Sequence, residues 1–285
     1  MICFRASRRK LSTGVDSFRL DALKHINPGF YPEWLGHLEN HFQKSFFCIG
    51  EYWQNSVEVL LKFIDVTQGK IQLFDVPLHH RFREASEEGE RYDLRNIFNN
   101  TLLQQKPELA VTFVDNHDTQ PLQSLQSPVQ AWFTPIAYAM ILLRQQGIPC
   151  IFYPALYDAK YLAQAQDGQE VYIELNRSDI IKQMIKIRRS LAYGEQYDYF
   201  DHPNVVGWAR TGISEMPGSG CVVLISTTGD AEKWMSMGEQ HSGKTMIDAT
   251  GSITESLVLN DHGEGMFKVK AGSVSIWIDQ SQTSL

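Results

Sequence analysis

Through the first two thirds of the chain, short apolar runs alternate with longer stretches in which apolar positions recur at helical spacing. The runs at residues 15–20, 46–49, 71–74, 109–114 and 149–153 draw mainly on Val, Ile, Leu and Phe. Such runs fit strands covered on both faces, as in a parallel sheet. Between them, residues 31–44 set Trp34, Leu35, Leu38 and Phe42 along one stripe of a helix. Residues 94–105, 132–146 and 178–191 carry a similar stripe, the last through Ile180, Ile181, Met184, Ile185 and Ile187. This alternation predicts an α/β architecture. After about residue 195 the texture changes, and Gly, Ser, Thr and Asn separate strand-like runs at 205–209, 221–226, 245–247, 256–259, 266–269 and 274–278. The pattern predicts an α/β domain over 1–194 and an antiparallel β domain over 195–285. The acidic stretch 84–90 reads as the solvated face of a helix.

Composition narrows the function class. The chain has 285 residues, 43% hydrophobic and 21% charged, which suits a globular protein with a substantial core. Its formal net charge of -7, with basic residues scattered apart from Arg8-Arg9-Lys10, argues against nucleic-acid or anionic-membrane partners. Cys3, Cys48, Cys150 and Cys221 lie far apart without metal-ligand spacing, so reduced thiols in a cytoplasmic protein are expected. The N-terminal MICFRASRRK has charges where a secretory signal needs an apolar core. The most apolar long segment, 131–143, is shorter than a membrane span and is interrupted by Thr134 and Pro135.

The candidate chemistry lies where the apolar runs end. Four of the five are followed by an acidic residue: Asp21, Glu51, Asp75 and Asp118. In a βα barrel the strand C-termini open on one cleft, so carboxylates placed there converge. Two of them about 5 Å apart suit the nucleophile and general acid/base of a retaining glycosidase. A helix cap or turn former is the competing reading of any acidic residue after a strand, and the one adopted for Asp75. Arg19, two residues before Asp21, points to the same side of its strand and can pair with it. Asn116, His117 and Asp118 crowd three polar side chains at the end of an apolar strand, an unfavourable arrangement if buried without purpose. Metal ligation is the rival reading, but no HExxH-like spacing occurs. On the residues alone Trp53 reads as helix-start packing, Lys24 as a solvated charge, and His79 and His80 as surface or supporting histidines.

GVDSFRLDALKH resembles the second motif of the α-amylase family of retaining glycoside hydrolases, IGEYW the third and FVDNHD the fourth, in the family's order. FVDNHDTQPLQ, AYAMILLRQQGIPCIFYP, YDYFDHPNVVGWAR and AGSVSIWI are similar to bacterial liquefying amylases, especially the intracellular group. The resemblance spans about residues 14–278 and implies endo-hydrolysis of internal α-1,4 bonds in starch or glycogen, with α-glucan or maltooligosaccharide as substrate. It implies Asp21 as nucleophile, Glu51 as general acid/base and Asp118 as the third, transition-state-favouring carboxylate. Arg19 would orient Asp21, His117 would bond the sugar in the cleaved subsite, and Lys24, His25 and Trp53 would line the leaving-group side.

The same resemblance makes FRLDALKH the fourth strand of a (β/α)8 TIM barrel. The implied fold is the C-terminal part of that barrel, strands four to eight, followed by a small antiparallel β-sandwich. A complementary N-terminal segment is the implied partner for strands one to three. The family's calcium takes most of its ligands from that segment, and only the backbone carbonyl of His25 matches a ligand here. Pro203 and Asn204 stand where ligands of a further calcium are expected. Ala155 and Asp158 replace an acidic residue and a glycine, so the loop after strand eight is expected to differ. An inactive remnant, a glucan-binding module and an α-glucan transglycosylase are the alternatives carried with this reading.

Overall fold

The computed structural model describes residues 14–283. Cys3 and the Arg8-Arg9-Lys10 run lie outside them. The chain divides into two compact units, the described part of Met1–His80 with Phe98–Thr112, and the described part of Arg81–Ile97 with Phe113–Leu285.

In the first unit β1 (Ser17–Leu20), β2 (Phe47–Gly50), β3 (Gln72–Phe74) and β4 (Ala110–Thr112) pair in parallel in that order. Between β1 and β2 runs helix α1 (Phe30–Phe42), which buries Tyr31, Trp34, Leu35 and Leu38, the stripe read from the sequence. Helix α2 (Val57–Val66) follows β2 and buries Val57, Leu60, Phe63 and Ile64. Its start is set by Ser56, whose hydroxyl accepts the Val59 N–H at 3.4 Å and donates to Glu58 at 2.7 Å. Gly50 is required where β2 ends: a Cβ there would lie 2.3 Å from Leu23 Cδ1 and 2.8 Å from Ile71 Cγ2. Helix α3 (Val76–Glu88) begins in this unit and ends in the second, where Arg83 and Glu87 pair at 2.8 Å on its acidic face.

The helix expected over 94–105 is not continuous. It is reduced to a 3₁₀ turn, Leu94–Asn96, and the single turn α4 (Leu102–Gln105). Local side chains capture the amides a longer helix would use: Asp93 accepts the Arg95 N–H at 3.0 Å and Thr101 the Gln104 N–H at 3.2 Å. Asn100, at φ 56°, completes the break.

The second unit holds α5 (Thr134–Leu142), β5 (Ile148–Pro149), the hairpin β6 (Ala159–Gln164) and β7 (Glu170–Leu175), and α6 (Asp179–Ser190). Every residue of α5 from Ile136 to Leu142 is buried, as expected of a helix apolar all round. It is shorter than the 132–146 stripe because Pro135 sits in its first turn and Arg144 leaves the helix to pair with Asp198, at 2.7 and 2.8 Å. The guanidinium also lies over the rings of Phe200 and Trp208. The hairpin was not foreseen.

From Gln196 onward come β8 (Gln196–Tyr199), β9 (Val205–Arg210), β10 (Cys221–Ser226), β11 (Ala231–Ser236), β12 (Thr245–Asp248), β13 (Leu257–Val258), β14 (Glu264–Val269) and β15 (Ser273–Asp279). Six of them form a sheet in the order β13-β12-β15-β10-β9-β8, and β11 pairs with β14 in a second, two-stranded sheet. Met235, Met237, Phe267, Val269 and Trp277 fill the space between them with Val222, Leu224 and Leu259. All six residues of β10 are buried, since the other face of the large sheet is covered too: the Trp208 indole N–H donates to the Leu143 carbonyl at 3.3 Å.

Candidate functional site

Asp21 and Glu51 stand one residue beyond the ends of the adjacent strands β1 and β2. The parallel ladder continues past both ends: Glu51 donates its backbone N–H to Leu20 at 2.8 Å and accepts the Leu23 N–H at 2.9 Å. The backbone around Asp21 is thereby tied on both sides to Glu51. Ala22 takes φ 50° and ψ 42°, a left-handed conformation unfavourable for a residue with a Cβ, and turns the chain directly into the 3₁₀ segment Leu23–His25.

One guanidinium joins the two carboxylates. Arg19 Nη1 lies 3.1 Å from Asp21 Oδ1 and Nη2 lies 3.2 Å from Glu51 Oε2. The pairing expected of Arg19 and Asp21 is present, and Glu51 is on the other arm of the fork. The side chain of Asp21 is 69% exposed and that of Glu51 12%, so one carboxylate is open to an incoming molecule and the other sits recessed. Lys24 and His25 are exposed, on the short turn after Asp21.

Trp53 is half-buried and precedes α2 by four residues. Its ring centroid lies 5.8 Å from that of His79 and 6.2 Å from that of His80. His79 is fully buried, which corrects the surface reading for that residue.

Asp75 acts as the cap that its position suggested, and for two helices together. Its carboxylate accepts the N–H groups of Leu78 and Leu102 at 3.1 Å and of Leu103 at 2.7 Å, so α3 and α4 both start on it. Burial pushes this carboxyl up to about 6 even though the three amides favour its charged form.

His117 and Asp118 belong to the second unit. Asn116 organises their turn: its side-chain oxygen accepts the N–H groups of Asp118 at 2.8 Å and Thr119 at 2.9 Å, while its own N–H donates to Thr119 Oγ1 at 2.9 Å. Asp118 receives the Ser124 hydroxyl at 3.3 Å and lies 3.5 Å from His117 Nε2. The crowding of polar groups here is in part structural, since Asn116 is spent on the turn. Asp115 was missed by the sequence reading, although it stands in the same FVDNHD motif. It accepts the Val129 N–H and the Thr119 hydroxyl, both at 3.2 Å, and desolvation pushes its carboxyl up to about 6.

These features coincide with a close match to known proteins. Over 272 residues the chain is 44% identical to an α-amylase of Geobacillus stearothermophilus, covering 95% of this chain and 48% of that protein. It is 45% identical over 266 residues to the cytoplasmic α-amylase of Escherichia coli (strain K12), covering 93% of this chain and 53% of the relative. The chain belongs to the α-amylase family. No protein-family model matches it. Among solved structures, an Anoxybacillus α-amylase superposes with a TM-score of 0.68 at 19% identity, over 98% of this chain and 62% of that one, which speaks to the fold alone. The chain spans about half the length of the curated relatives it matches.

Among the described residues, no group of three or more His, Cys, Asp or Glu side chains is placed to hold a metal ion. The backbone carbonyl of His25, the ligand that the resemblance implies, would be one oxygen of the six or more that calcium takes. In the region expected for a further calcium, Pro203 accepts the Leu94 N–H at 2.8 Å, and the Asn204 amide donates to Glu90 O at 2.7 Å and Thr227 Oγ1 at 3.2 Å. The loop after β5 carries the hairpin, whose base is tied by Asp158 accepting the Arg177 N–H at 2.8 Å and its Nη1 at 3.0 Å. No helix among the described residues is long and apolar enough to cross a membrane.

Proposed function

We propose that this chain carries the carboxylates of an endo-acting α-1,4-glucan hydrolase that works with retention of configuration. The observation that carries the reading is the single Arg19 guanidinium spanning Asp21 and Glu51 at neighbouring strand ends. A retaining glycosidase needs two carboxyl groups close together, and a shared cation between adjacent strands supplies that closeness. The exposed Asp21 attacks the anomeric carbon and forms a glycosyl-enzyme, with Arg19 fixing its orientation. The recessed Glu51 protonates the departing glycosidic oxygen, then takes a proton from the water that attacks the intermediate. Asp118 and His117 bond the sugar hydroxyls, and Trp53, Lys24 and His25 contact the leaving-group side.

On this reading β1–β5 are the fourth to eighth strands of a (β/α)8 barrel over 1–194, with a β-sandwich over 195–285. A complementary N-terminal segment supplies the other strands and the calcium ligands. The cytoplasmic E. coli relative supports a cytoplasmic location. The test is reducing-sugar release from soluble starch, by the chain alone and with a complementary N-terminal segment, beside Glu51→Gln. Release that falls by roughly 10³ or more in the variant is expected, as for loss of an acid/base group together with its charge. Equal release by the variant, or none from the folded wild type in either assay, overturns the proposal.

A further inference from the structure

The second unit contains a cavity of about 410 Å³ that the proposed chemistry does not use. Its walls come from residues 115–134, Tyr138 on α5, residues 152–155, and the end of β7 with residues 176–178. The volume is within the range of small-molecule sites, at its lower end. Pro121, Val129, Phe152 and Pro154 give apolar surface, and Asp115, Tyr138 and Asn176 give polar groups.

Charge decides what such a cavity accepts. Arg177 is engaged by Asp158 and Asp179, each at 3.0 Å, and Glu174 is paired with Lys160 at 2.9 Å. Asp115 is then the remaining charged residue of the lining. Both of its hydrogen bonds fall on Oδ1, from Thr119 and Val129, and a carboxylate has about four acceptor positions, so Oδ2 is left to accept. The buried Tyr138 hydroxyl accepts the Phe152 N–H at 3.2 Å, which leaves its own proton to donate. An occupant must therefore bring hydroxyl donors and acceptors and an apolar face, and an anion is disfavoured.

We propose that this cavity binds one neutral hexose unit, glucose or a terminal residue of a maltooligosaccharide, through Asp115 and Tyr138 with its C–H face against Phe152. The choice of a glucose-type sugar rests on the function proposed above. Ala155 lines the cavity with a single methyl group, so a larger residue there reduces the volume open to a ligand while the Asp115 and Tyr138 side chains are kept.

The experiment is calorimetric titration of the Glu51→Gln chain, in which turnover is suppressed, with glucose, maltose and glucose 6-phosphate. Saturable binding of glucose at one site is expected, at least tenfold weaker for the phosphate, in Ala155→Leu and in Tyr138→Phe. No saturable binding to the folded chain overturns the inference, as does unchanged affinity in both cavity variants. Glucose binding that is lost in Trp53→Ala but kept in Ala155→Leu also overturns it, by placing the sugar elsewhere. Because binding is read without turnover, absence of starch hydrolysis in the wild type defeats the functional reading separately.

Discussion

Glu51 holds the backbone on both sides of Asp21, donating to Leu20 and accepting from Leu23 at 2.8 and 2.9 Å. The two carboxylates are thus fixed by main-chain bonds before any side-chain pairing is made. That tie depends on close approach at Gly50, immediately before Glu51. Gly50→Ala is expected to destabilise the fold by about 2–3 kcal/mol, because the new methyl meets Leu23 and Ile71 inside contact distance. Urea denaturation measures this, and a shift under roughly 0.5 kcal/mol would show that the strand ends relax freely.

Arg19→Lys separates charge from geometry. A single ammonium cannot present the two-armed fork that meets Asp21 and Glu51 together, so kcat on starch is expected to fall by about 10²-fold with a smaller change in KM. The opposite split, KM rising at constant kcat, would make Arg19 a substrate-binding group only.

Asp75→Ala leaves the amides of Leu78, Leu102 and Leu103 without their acceptor in a fully buried position. A loss of about 3 kcal/mol or more is expected in chemical denaturation, with a smaller loss for Asp75→Asn, which keeps one acceptor oxygen. Equal stability of Asp75→Ala and wild type would contradict the double cap.

Stability should depend on pH through Asp115. Its folded value is raised from 3.8 to about 6, so its protonated form is favoured by folding; the contribution is present in full below 3.8 and is lost as pH rises through about 6. Between about pH 4 and pH 7 the wild type should lose ~2 kcal/mol more than Asp115→Asn, which has no proton to release. Parallel stability profiles for the two proteins would refute the shift.

Strand order along the chain and the stripe of α1 were legible because apolar spacing reports burial directly. The strand-end positions of Asp21 and Glu51 were legible because they follow apolar runs, the Arg19–Asp21 pair because the two stand two residues apart, and Asp75 as a cap because it too follows an apolar run. The Arg19–Glu51 contact was not, since it depends on the register of two strands 32 residues apart. Asp115 was passed over because its neighbours Asn116, His117 and Asp118 looked more chemical, whereas burial after folding perturbs Asp115. The stripe at 94–105 misled because helical spacing was present but Asp93, Asn100 and Thr101 divert the backbone.

The central claim is tested most directly by trapping the covalent intermediate. The Glu51→Gln protein, supplied with its complementary N-terminal segment, is treated with an activated fluorinated α-glucosyl donor and its proteolytic peptides are analysed by mass spectrometry. The account predicts a hexosyl adduct on Asp21, absent in Asp21→Asn. An adduct on another carboxylate, or starch turnover by the wild type with no adduct trapped anywhere, would contradict it.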